Sequence, residues 1–147
     1  MMNIQTKYQG EIEIADKDIW TFRNGIPGFQ DEHQFVILPL PENDIYAVLQ
    51  SVKTAELGFI IANPFFFFKE YSFDLDEAAI EQLGLENESD TLVYTILTIQ
   101  EPFEKSTANL QAPLIFNKRN NQAKQLILND GRYTTKHKIL PQKTEKG

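Results

Sequence analysis

Along most of this chain, apolar and polar residues alternate in short runs with a period of two. That is the pattern of a half-buried β-strand, whose successive side chains point to opposite faces. "NIQTKY" puts Ile4, Thr6 and Tyr8 on one side, "EIEI" does the same with Ile12 and Ile14, and Gln9-Gly10 between them predicts a tight hairpin turn. "IWTF" runs into a second turn signal at Asn24-Gly25. "FVILPL" and "AVLQSV" read as strands joined by the polar linker Pro41-Glu42-Asn43-Asp44. "LGFIIAN" is apolar on both faces, as a strand inside a core would be, and Pro64 ends or bends it.

One segment breaks the period. "DLDEAAIEQLG" places Leu75, Ala79 and Leu83 on one helical face, with Asp74 as cap, Glu77 completing a capping box and Gly84 as terminator. The β pattern then resumes. "TLVYTILTIQ" predicts a long strand, and "NLQAPLIFN" points Leu110, Ala112, Leu114 and Phe116 one way. Pro113 on its other face implies an edge or a bulge. "NKRNNQ" turns the chain into "AKQLILN", and Asn129-Asp130-Gly131 turns it again. Many short strands, one convincing helix and no repeat predict a mostly-β single domain over residues 1–140, closed as a barrel or a sandwich, with a flexible tail over 141–147.

Four consecutive phenylalanines in "NPFFFFKEY" raise three possibilities: a membrane anchor, a core, or a surface for another protein. The apolar run is bounded by Glu56 and Lys69 and interrupted by Asn63-Pro64, so it falls short of the roughly 18 residues a span requires. Read as a strand, it sends either Phe65 and Phe67 or Phe66 and Phe68 into the core. The other pair lies either beneath the Asp74–Leu83 helix or exposed as a partner-binding patch, and burial is favoured because large exposed aromatic patches are uncommon.

Composition adds an electrostatic division. The 147 residues carry a net charge of −7 and no cysteine, which excludes disulfides, thiolate metal sites and a cysteine nucleophile. Residues 1–104 hold nineteen carboxylates against five cations, whereas residues 105–147 hold two against nine. The acidic majority favours basic protein partners and repels nucleic acid. The basic third has dispersed cations and no aromatic ladder, the composition of a solvated face. A nucleic-acid-binding β-barrel using that third is the alternative reading. The N-terminus has neither a basic start nor an apolar run, so no secretory signal is expected.

Catalytic signals are sparse. His33 and His137 stand far apart without a second ligand at metal spacing, and no nucleophile elbow, phosphate loop or metalloprotease helix occurs. Glu101 and Glu104 flank Pro102-Phe103 at a strand end, a position from which glycosidase acids project, but acids crowd the whole region. In "RNGIPGFQDE", Gly25 and Gly28 allow a tight turn while Ile26, Pro27 and Phe29 plug one end of the fold. In "QEPFEKSTANLQAP", Thr107, Asn109 and Gln111 form an amide-rich strand face that suits either solvent or an extended partner segment.

Taken in order, "NGIPGF", "NPFFFFKEYSFDL", "TILTIQEPFEKSTANLQAP" and "KQLILND" resemble the flagellar assembly factor FliW family from about Tyr8 to about His137. The resemblance implies a cytoplasmic, non-enzymatic protein with a β-barrel-like fold, one or two short helices and no cofactor. It implies two partners, neither a membrane nor nucleic acid. One is CsrA, a dimeric RNA-binding repressor of flagellin mRNA, bound away from its RNA site. The other is flagellin, which occupies the protein until secretion depletes it. Motif position and chemistry then nominate contact residues: Phe29 and Tyr71 as aromatic anchors, Glu70, Glu101 and Glu104 for basic surface, and Phe103, Thr107, Asn109 and Gln111 within the 101–111 segment.

Overall fold

The computed structural model describes residues 2–26, 28–40, 45–129 and 131–139, with Phe103 described by its backbone alone. The strands are β1 (Met2–Gln5), β2 (Glu11–Ile14), β3 (Trp20–Phe22), β4 (Gln34–Pro39), β5 (Tyr46–Ser51), β6 (Gly58–Ala62), β7 (Thr91–Thr98), β8 (Thr107–Ala108), β9 (Leu114–Asn117), β10 (Gln122–Gln125) and β11 (His137–Lys138). The helices α1 (Pro64–Phe67) and α2 (Glu77–Leu83) lie between β6 and β7. The 41–44 linker, Pro27, Asp130 and the 141–147 tail of the sequence reading fall outside the described residues.

Seven strands close on themselves in the order β7-β6-β5-β4-β3-β10-β9, and β9 returns to β7 with Leu92 opposite Phe116. The fold is therefore a barrel and not a sandwich. Among the described residues, β3 and β10 form the one parallel pair, Thr21 against Gln122 and Phe22 against Ala123. Closure removes the edges that an open sheet would leave.

The pleat sorts the apolar positions. Phe22, Phe35, Leu49, Ile61, Leu114 and Phe116 fill the interior. Phe116 takes the edges of Trp20, Tyr94 and Phe22 at ring separations of 5.0, 5.6 and 5.7 Å, the T-shaped geometry aromatic quadrupoles favour. Outside, the β1–β2 hairpin lays Ile4 and Ile14 on Val36. A second outer layer covers Ala62, Leu97 and Ile115 with Tyr71, Ala79, Leu83, Leu110 and Leu128. "LGFIIAN" is apolar on both faces because Ile61 points into the barrel and Ala62 lies under that outer layer.

Several local readings change. The first hairpin turns through a wider loop, closed by the Thr6 amide on the Gly10 carbonyl at 2.9 Å, which leaves Tyr8 at its exposed tip. Asp76, not Asp74, caps α2: its carboxylate accepts from the Ala79 amide at 2.8 Å, and Gly84 ends the helix at φ +68°. Residues 109–113 interrupt the strand pairing between β8 and β9. Leu110 consequently joins the outer layer while Leu114 and Phe116 enter the barrel, so the four residues do not share one face. Ile26 plugs the interior as expected, but Phe29 stays 42% exposed with its ring against Phe59.

Candidate partner-binding surface

The phenylalanine run is not a strand. The Asn63 side chain accepts a hydrogen bond from the Phe65 amide at 2.9 Å and Pro64 occupies the first helical position, so the chain enters the one-turn helix α1. A helical turn divides the rings differently from a pleat. Phe67 and Phe68 turn towards the outer layer, whereas Phe65 and Phe66 remain 40% and 59% exposed. Neither alternating pair is the buried one, and the second pair is not hidden under α2. The signal for this was in the sequence: Asn-Pro before the run is a helix start.

Beyond α1 the chain returns along the outer layer, pinned by Tyr71. That ring is 4% exposed and its hydroxyl donates to the Leu110 carbonyl at 2.7 Å. Tyr133 meets it edge-on at 4.7 Å, and the Tyr133 hydroxyl in turn accepts from the Ser72 amide at 3.1 Å. Burial pushes the Tyr71 phenol far above its ordinary pKa, and the neighbouring Tyr133 pushes the same way. Tyr71 is thus a ring of the outer layer and not the surface anchor its motif position suggested. Its neighbour Glu70 is exposed and shares with Leu110 a shallow hollow lined also by Phe68, Lys69 and Arg132.

The 101–111 segment is built by local hydrogen bonds. A cis Glu101–Pro102 bond leads into a 3₁₀ turn, Phe103–Lys105, on which Glu101 and Glu104 are exposed. The Ser106 hydroxyl accepts from the Gln100 amide at 2.7 Å. The Asn109 side-chain oxygen accepts from the Ala112 amide at 3.0 Å and the Gln111 side chain donates to the Leu128 carbonyl at 3.4 Å. Both amides are therefore engaged within the fold. Nor is this an open edge: β11 pairs with β8, His137 opposite Ala108 and Lys138 opposite Thr107. The Thr134 carbonyl accepts from the amides of Leu110 and Gln111. Periodicity did not reveal β11, because two paired residues carry no period to read.

Geometry joins some nominated residues and separates others. The Tyr71–Leu110 hydrogen bond brings Tyr71 against the 101–111 segment at Leu110, and Glu70 lines the same hollow as Leu110. Phe29 belongs with Phe59 instead. The side chain of Phe103 lies outside the described residues.

Among the described residues no group of histidines and acids could hold a metal. His33 places Nδ1 at 3.0 Å from the Phe22 carbonyl, an acceptor that requires the proton on that nitrogen. His137 meets Phe68 edge-on at 5.2 Å. In the basic third, Arg119 reaches back to Glu86 at 3.1 Å and to Asp90 at 3.9 Å. Among the described residues no helix is long and apolar enough to cross a membrane.

Comparison with known proteins is consistent over nearly all of the chain. The family model described as FliW protein matches residues 3–139. The flagellar assembly factor FliW of Bacillus subtilis strain 168 is 55% identical over 138 residues, covering 94% of this chain and 96% of that protein. The protein of the same name from Geobacillus kaustophilus strain HTA426 is 49% identical over 145 residues, covering 99% and 100%. A crystal structure of the flagellar assembly factor FliW superposes with a TM-score of 0.93 at 47% identity, over 97% of this chain and all of that one.

Proposed function

This chain belongs to the FliW family, and we propose that it serves flagellar assembly as a cytoplasmic, non-enzymatic regulator that binds the translational repressor CsrA and relieves repression of flagellin mRNA. Flagellin is the competing partner. While flagellin accumulates it occupies the protein, and when secretion depletes it the freed protein captures CsrA. The observation that carries this reading is end-to-end identity with flagellar assembly factors, 55% over 94% of the chain.

Charge supplies a physical route for the antagonism. A repressor that binds RNA presents basic surface, and the nineteen carboxylates of residues 1–104 complement it. Glu70, Glu101 and Glu104 are exposed and available for such contacts, and Phe29, on a separate part of the surface against Phe59, adds an exposed ring to the proposed contact set. Once docked, the same carboxylates repel phosphate near the RNA site, over a range set by a Debye length of about 8 Å. RNA release at saturating concentrations of the protein should therefore weaken as salt rises. Release that is indifferent to salt would remove the electrostatic route.

Calorimetric titration of the purified chain with CsrA tests the reading itself. Saturable binding supports it, and binding to neither CsrA nor flagellin overturns it.

A further inference from the structure

On the outer face of the barrel, α2 and the segment leading into it do not close over β7. They leave a groove of about 750 Å³ with Val93 and Ile115 in its lining and Phe65, Phe73, Ile80 and Leu85 around them. That size is typical of clefts that bury a ligand. Phe65 and Ile80 are 40% and 37% exposed, although burial was open to both as large apolar side chains next to an apolar layer. Asp74, Glu86 and Glu88 line the same groove, and no lysine or arginine does so among the described residues. Arg119, the cation bonded to Glu86, is shared with Asp90.

We propose that this groove docks a short segment of a partner protein that carries large apolar side chains flanked by lysine or arginine. The inference rests on the reading that this chain works by holding other proteins, and adds where one is held and by what chemistry. Apolar side chains of the partner cover Phe65, Ile80 and Val93, and burial of that surface supplies the affinity. Its cations meet Asp74 and Glu88 at the rim, which steers encounter and rejects acidic segments. Other occupants fit less well. A second copy brings its own net charge of −7 to an acidic rim. Residues 140–147, "LPQKTEKG", offer Leu140 as their one large apolar side chain. Nucleic acid and anionic lipid carry the same sign of charge as the rim.

The test titrates purified CsrA and purified flagellin separately into the wild type, Ile80→Glu and the double variant Asp74→Lys/Glu88→Lys, with a thermal melt of each. The expected result is at least tenfold weaker binding of one partner by both variants, melting little changed, and a deficit in the double variant that narrows as salt rises. Undiminished binding of both partners to both variants would overturn the groove and leave the functional reading standing. A wild type that binds neither protein would remove that reading, and the groove proposal with it. A wild-type dimer that Ile80→Glu dissolves would assign the groove to a second copy and contradict the proposal. The double variant changes exposed side chains alone, so it decides the matter even if Ile80→Glu fails to fold.

Discussion

Replacing Tyr71 by phenylalanine removes one oxygen and leaves the ring. In the structure that oxygen donates at 2.7 Å to the carbonyl of Leu110, a residue only 1% exposed. The ring keeps its contacts with Phe65, Phe73 and Tyr133, so no cavity opens. What is lost is a neutral hydrogen bond worth about 0.5–1.5 kcal/mol net, together with about 1–3 kcal/mol for stranding a buried carbonyl that water cannot reach. These contributions overlap, and a total of about 1–3 kcal/mol is expected. For a chain of this size each kcal/mol lowers melting by about 2–4 °C, so Tyr71→Phe should melt roughly 2–12 °C below wild type. Urea unfolding should show the same loss at unchanged slope. Partner affinity, measured well below the melting range, should fall little, because the hydroxyl faces the fold and not the partner. Unchanged melting with weakened CsrA or flagellin binding would refute this reasoning and make the hydroxyl a contact group.

Other consequences can be checked alongside. Phe66→Ala should leave urea stability within about 0.5 kcal/mol of wild type, because its ring is 59% exposed. Phe67→Ala should cost about 1–3 kcal/mol, less than the 3–5 of a fully buried ring, since Phe67 is half-buried against Tyr46 and Phe68; equal costs would contradict the helical turn. Gly25→Ala should destabilise by more than about 1–2 kcal/mol, because φ is +71° and a Cβ would sit 2.6 Å from the Gln30 carbonyl oxygen. Glu32 accepts from the Ser51 hydroxyl at 2.6 Å and the Thr54 hydroxyl at 2.5 Å. These two hydrogen bonds, Ser51's first, hold its pKa below the ordinary carboxylate value. Its contribution to stability is therefore complete above the ordinary carboxylate pKa and lost as pH falls through the lowered one. Glu32→Gln should flatten that part of an acid-unfolding profile, and an unaltered profile would exclude the contribution.

Much of the barrel was legible because one face of each strand is dry. Where apolar residues alternate, as in β2, a slip of one residue would turn the whole apolar set to solvent, so the pattern fixes which side chains face inward. Closure was less legible. The parallel pairing of β3 with β10 joins residues about a hundred positions apart, and no local pattern encodes it. The phenylalanine run misled by composition: four rings suggest a strand, yet Asn63 and Pro64 organise a helical turn whose first residues are exposed. At the candidate surface, residue types were readable but availability was not. Asn109 and Gln111 have the chemistry of a recognition face, but the Asn109 oxygen is taken locally by the Ala112 amide and a Gln111 N–H by the Leu128 carbonyl. Glu70, Glu101 and Glu104 keep theirs because they sit on exposed backbone with no cation drawn to them in the described contacts.

The central claim is that two partners compete for this protein, and displacement tests it most directly. The complex of the chain with CsrA would be formed at saturation and titrated with flagellin, following the released repressor by size exclusion with light scattering. The account predicts that flagellin displaces CsrA stoichiometrically and that no species contains all three proteins. A stable ternary complex, or CsrA retained at saturating flagellin, would contradict it.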